Sequence, residues 1–350
     1  MDYQTAHINE RASAAHYNWV DFVRVFGTFL VVLAHITGWG AGPGWAETFY
    51  YTLSRNGVPL FFMISGFLLL SKQEDLGTYL KKRAWKILIP FVVWSLIYDL
   101  YWNQALSEVG LSFQGVIRLF IRMIRGARAE HLWFFYALIG LYLFTPVLRL
   151  FVDKARNDDL LYYIGLWFLA VPLLNVVSEF TPIVSGFELQ FATGYVGYYL
   201  LGLFLGRLEL NRKRLIVFTA LFLIGFIGTF VVFYLDLPPK NNELIFRSYL
   251  SINIILMAVF IQMFLRVLGE IFSSQVNRWL DLFSQASFGI YLMHPILMRW
   301  IEQGWIALGF DTGIGTSILV IPFIAIIGFL ASFVVTMALR KIPILKSIVP

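Results

Sequence analysis

Long apolar runs separated by short polar stretches dominate this chain, and a run of about 20 apolar residues is what a helix needs to cross a hydrocarbon core of about 30 Å. Ten runs are read, at residues 19–38, 52–71, 84–103, 132–150, 160–177, 192–207, 215–235, 247–267, 284–302 and 317–339. They predict an all-α polytopic membrane protein: a polar N-terminal tail (1–18), a bundle of about ten transmembrane helices (19–340) and a short C-terminal tail (341–350). No small-residue cleavage site follows the first run, so it reads as a retained helix.

That first run carries a polar stripe of Asp21, Arg24, Thr28 and His35. Eleven residues separate Arg24 from His35, which at about 100° and 1.5 Å per residue stacks them on one face, roughly 16 Å apart. Ionisable groups inside a bilayer are expensive and point to function by default. Guanidinium suits a phosphorylated ligand and imidazole suits proton transfer near neutral pH. The structural alternative is a self-neutralising Asp21–Arg24 pair with His35 as a hydrogen-bonded packing residue.

Composition agrees with the pattern: 59% of the 350 residues are hydrophobic, 18% aromatic and only 14% charged, with a mean hydropathy of +0.73. Cysteine is absent, which removes thiol nucleophiles, disulfides and thiolate metal sites. No HExxH motif, cysteine-ligand spacing or dense acidic cluster suggests a catalytic metal, and no Walker loop suggests ATP hydrolysis. The net charge of +6 is spread over loops and one stripe, which argues against nucleic acid. Most lysines and arginines fall in alternate loops, including Lys81, Lys82, Arg83 and Lys86. By the positive-inside rule both termini are then cytoplasmic, with Arg24 near the inner and His35 near the outer end of the first helix.

Several other positions could carry chemistry. Residues 113–128 place Arg118, Arg122, Arg125 and Arg128 at spacings of four, three and three, the pattern of an amphipathic interfacial helix, here on the outer side. Its arginines suit anionic lipid headgroups or, alternatively, the phosphates of a lipid-linked glycan. Glu130, His131 and Trp133 follow at the outer mouth of the fourth run, a set that suits a sugar. Tyr291 and His294 precede Pro295, where a broken backbone can line a cavity, and Glu188 is a further candidate acceptor contact. Ser65 and Gly66 read as small residues for close helix approach, with a serine nucleophile as the alternative.

Five stretches in order resemble the acyltransferase 3 family of membrane O-acyltransferases: DFVRVFGTFLVVLAH (21–35), VPLFFMISGFLLL (58–70), KKRAWKILIPFVVW (81–94), HLWFFYALIGLYLFTP (131–146) and FGIYLMHPIL (288–297). The likeness is greatest to stand-alone members such as the O-acetyltransferase of enterobacterial common antigen. It implies a multi-pass protein of the bacterial inner membrane. Such a protein moves an acyl group, acetyl by preference, from cytosolic acyl-CoA to a hydroxyl of an envelope carbohydrate or lipid-linked glycan.

The resemblance further implies that Arg24 and His35 are essential, with Asp21 holding Arg24. His35 then acts as the base for the attacking hydroxyl, or accepts the acyl group itself. Arg83, Lys82 and Lys86, with Arg24, become candidate acyl-CoA contacts; Lys86 stands where the family has a second arginine and lacks its bidentate geometry. His131, Trp133, Glu130, Arg122, Arg125, His294, Tyr291 and Glu188 become candidate acceptor contacts. No permanently bound cofactor and no metal is expected, and a homo-oligomer is possible. A transporter using Arg24 and His35 as its pathway is the alternative, and a membrane sensor domain a third.

Overall fold

A computed structural model describes residues 17–37, 44–102, 112–182, 189, 192, 194–235, 243–309 and 317–350. All regular structure among them is helical. In chain order the α-helices are α1 (Asn18–Ile36), α2 (Trp45–Ser54), α3 (Gly57–Leu70), α4 (Leu76–Arg83), α5 (Ile89–Tyr101), α6 (Phe113–Arg125), α7 (Trp133–Val152) and α8 (Asn157–Phe168). They continue with α9 (Leu174–Phe180), α10 (Val196–Arg207), α11 (Arg212–Tyr234), α12 (Ile252–Ile271), α13 (Ser274–Ala307), α14 (Val320–Arg340) and α15 (Pro343–Lys346).

Eight helical stretches among the described residues are long and apolar enough to cross a membrane: Asn18–Ile36, Trp45–Leu70, Leu76–Tyr101, Glu130–Val152, Asn157–Phe180, Arg212–Tyr234, Ile245–Ile271 and Val320–Arg340. Two contain a wider π turn, at Ala84–Leu88 and Leu169–Leu173, and Ile245–Ile271 begins within a third, Glu243–Arg247. Pro172 within the second removes one backbone donor, a common cause of such a bend.

The other two expected runs take different forms. Residues 192–207 give α10, only 12 residues long, and 284–302 lie within α13, a 34-residue helix. Neither meets both the length and the apolarity of the eight. Both are nonetheless central. Almost every residue of α10 is buried, and α13 buries Ser284 to His294 nearly without a break.

The reason α10 can sit so deep is local. A Cβ at Gly66 of α3 would lie 1.9 Å from the Tyr199 carbonyl oxygen, and one at Gly202 of α10 would lie 1.9 Å from that of Met63. Backbones meet there because both crossing points lack side chains, the usual membrane solution where apolar burial drives no association. The second packed unit is α1, which lies against α3, α12, α13 and α14. Its polar stripe is therefore enclosed by helices.

Candidate active site

At one end of α1, Asp21, Arg24 and Ser284 form a hydrogen-bonded set. Arg24 Nη1 donates to Ser284 Oγ (2.7 Å) and to Asp21 Oδ1 (3.3 Å), and Ser284 Oγ donates to Asp21 Oδ1 (2.6 Å). The i,i+3 spacing sets the Arg24–Asp21 contact and α13 supplies the serine. Asp21 is buried, whereas the Arg24 side chain keeps 32% of its surface exposed. The guanidinium is thus held from one side and open on the other. Thr28 donates to the Arg24 carbonyl (2.8 Å), which satisfies its hydroxyl on its own helix.

At the other end three histidines converge. His35 comes from α1, His294 from α13, and His131 from the 3₁₀ turn Glu130–Leu132 that opens α7. Ring centroids are 4.6 Å apart for His35–His294, 5.4 Å for His131–His294 and 6.2 Å for His35–His131. His294 Nδ1 lies 2.8 Å from the Tyr291 carbonyl oxygen and 3.2 Å from that of Ile290. A carbonyl only accepts, so that nitrogen carries hydrogen and Nε2 keeps a lone pair. His35 Nδ1 lies 2.9 Å from the Val31 carbonyl oxygen and 3.3 Å from His294 Nε2, both acceptors. It therefore carries a proton too, and the lone pair of His35 is on Nε2, turned away from both partners.

His131 sits behind this pair. Its ring packs against Tyr98 (5.0 Å) and Tyr291 (5.3 Å), and its Nε2 is buried without a hydrogen-bond partner among the described residues. The Tyr291 hydroxyl donates to the His131 carbonyl, and the Tyr98 hydroxyl donates to the Leu292 carbonyl at 2.8 Å. Tyr291, expected as an acceptor contact, is placed as a strut between α7 and α13. His294 is fully buried against His35.

Near the Arg24 end a second basic set surrounds Tyr79. The Arg83 guanidinium stands 5.4 Å from the Tyr79 ring and 5.7 Å from Tyr142, and Arg149 stands 4.6 Å from Tyr79. Lys82 is ion-paired with Glu74, whose second oxygen is 3.9 Å from Arg149. The Lys82 hydrogen bond, reinforced by the nearby arginines, holds the Glu74 carboxyl below the usual carboxylate range. Lys86 is exposed on the π turn. Arg149, which nothing in the sequence singled out, joins Arg83 beside Tyr79.

The amphipathic segment forms as α6, ending at Arg125, and its placement changes the reading of its charges. Buried Asp99 of α5 accepts from Arg122 Nη2 and from Arg128 Nε, each at 3.1 Å. Arg122 is thus committed to Asp99, while Arg118 and Arg125 remain exposed beside Phe113 and Ile124. Glu130 is exposed, and Trp133 stacks on Tyr249 at 5.4 Å. Glu188 lies outside the described residues. No group of three or more His, Asp or Glu among the described residues is arranged to hold a metal.

Comparison with known proteins adds two findings. The profile of the acyltransferase 3 family, described as an acyltransferase domain, matches residues 17–337. A curated protein named amino-acid racemase, from Enterococcus faecalis, is 26% identical over 299 residues, covering 80% of this chain and 41% of that protein. The chain spans less than half the length of this relative. No solved structure matches.

Proposed function

The chain belongs to the acyltransferase 3 family, and we propose that it transfers an acetyl group from cytosolic acetyl-CoA to a hydroxyl of an envelope carbohydrate. The observation that carries this reading is the hydrogen-bonded His35–His294 pair, at the opposite end of α1 from the open Arg24 guanidinium. A sugar hydroxyl attacks a thioester only when a positioned base removes its proton. His35 Nε2 is that base, and His294 Nε2 accepts from the far side of the ring and steadies the imidazolium that forms. The hydroxyl oxygen bonds to the acyl carbon, the carbon–sulfur bond breaks, and the proton held by His35 passes to the departing thiolate. Coenzyme A leaves as the free thiol. Arg24, fixed by Asp21 and Ser284, faces a phosphate or the thioester arm, while Arg83 and Arg149 hold coenzyme A phosphates at the entrance.

The orientation belongs to the same proposal. α10 and α13 complete ten crossings of a bacterial inner membrane, with both termini and the Arg83 cluster cytoplasmic and the histidines toward the outer face. By this reading the chain acts as a stand-alone O-acetyltransferase, in the manner of the one for enterobacterial common antigen. The racemase name of the longer relative describes a protein of which this chain matches under half.

Purified protein in liposomes, given acetyl-CoA and host envelope glycolipids, is expected to release free coenzyme A and to leave an ester on the acceptor. His35→Ala should abolish both. A carrier using the same pathway produces neither, so uptake or efflux without coenzyme A release in the native protein would replace this reading with transport.

A further inference from the structure

Arg55 falls within the candidate span Trp45–Leu70, in the two-residue break between α2 and α3. The next residue but one, Gly57, packs against Gly27, Leu30 and Val31 of α1. Arg55 is therefore at the depth of the middle of α1, about one helical turn short of His35. An arginine at such a depth is costly and normally has a carboxylate partner.

Arg55 has none among the described residues. Its guanidinium lies 4.0 Å from the Tyr249 ring centroid, Nη1 donates to the Tyr249 hydroxyl (3.3 Å) and Nη2 donates to the Arg247 carbonyl. Arg247 is itself half-buried, with its guanidinium 5.2 Å from the Phe233 ring and no ion pair among the described residues. The Nε atoms of both arginines are buried without a hydrogen-bond partner among the described residues. Two guanidiniums on residues joined by a side-chain-to-backbone hydrogen bond thus have donors to spare and no carboxylate ion-paired with either among the described residues. Cation–π contacts and carbonyls offset part of that cost, and the remaining buried donors favour an anion.

The pair also adjoins the histidines. Tyr249 stacks on Trp133, which packs on Tyr195 at 5.6 Å, and Trp133 follows His131 by two residues through the 3₁₀ turn. An anion at Arg55 and Arg247 therefore reaches the site on the His35 side, away from Arg83 and Arg149.

We infer that Arg55 and Arg247 bind a phosphate oxyanion of the acceptor, which makes the acceptor a phosphorylated saccharide, through either a sugar phosphate or a lipid diphosphate linker. Guanidinium forks are the matched donors for that group. Naming the anion as part of the acceptor rests on the acyl-transfer reading above; the anion site itself does not.

The test is binding of inorganic pyrophosphate to purified native protein in nanodiscs, with saturating coenzyme A to fill the other phosphate site. Arg55→Gln and Arg247→Gln should each weaken binding about tenfold or more, Arg55→Lys should restore part of it, and Arg118→Gln should leave it unchanged. Equal weakening by Arg118→Gln would mean diffuse surface charge and would overturn the inference, as would native-level binding in the two folded Gln variants. If Arg55→Gln does not fold, Arg247→Gln carries the test. Displacement by glucose 1-phosphate assigns the anion to the sugar and displacement by farnesyl diphosphate to the linker, while displacement by neither overturns it. Loss of coenzyme A release with retained pyrophosphate binding would refute the acyl-transfer reading alone.

Discussion

At the scale of single residues, the site is defined by which nitrogen of each histidine is already committed. Carbonyls fix the Nδ1 protons of His294 and His35, so His35 Nε2 keeps the lone pair. His294→Gln should therefore reduce kcat by about ten- to a hundredfold while leaving KM for acetyl-CoA near native. The acidic limb of the pH–rate profile should shift with it; a His294 variant with native kcat and an unmoved profile would reduce this residue to packing. Glu74 gives a separate prediction for stability. Its carboxyl is lowered from 4.5 when folded, so its contribution is present above the unfolded value and fades as pH falls through the folded one. The melting-temperature gap between native protein and Glu74→Gln should thus hold from neutral pH to about pH 5 and close in more acidic buffer.

At the scale of elements, two junctions hold the arrangement. The α3–α10 crossing exists because Gly66 and Gly202 let carbonyls approach where any Cβ would clash at 1.9 Å. Gly202→Leu must push the helices apart and should destabilise the fold by about 2 kcal/mol or more, read as a lower melting temperature in detergent. The other junction is Asp99, the buried carboxylate that ties α6 to α5 through Arg122 and Arg128. Asp99→Ala leaves two half-buried cations short of their partner, a loss of about 3 kcal/mol or more. Amide exchange over 113–128 should accelerate far more than over α1, and uniform acceleration would show instead that the whole bundle had loosened.

At the scale of the whole molecule, the proposed reaction requires Arg24 and His35, at opposite ends of one enclosed helix, to face two compartments. The absence of native cysteine makes this directly measurable. With Lys346→Cys and Glu130→Cys introduced singly, a membrane-impermeant maleimide should label only the latter from outside intact spheroplasts. Labelling of both from the same side would remove the proposed orientation.

The class of fold, most of the spanning helices and the polar stripe on α1 are legible in the residues alone, because a bilayer imposes its demands locally: each crossing must satisfy its own backbone and present about 20 apolar residues. The sequence also pointed to Arg24, His35, His131 and Arg83, since their spacing or motif lies within one short segment. Contacts across helices came from packing. His35 and His294 are 259 residues apart and Arg24 and Ser284 are 260 apart, yet both pairs touch because α13 packs along α1. The burial of α10, the binding of Arg122 to Asp99 and the meeting of Arg55 with Arg247 were equally out of reach, because no periodicity within a segment encodes the face of a distant one. Hydropathy states that a helix enters the membrane; which of its neighbours receives each polar group is set by packing.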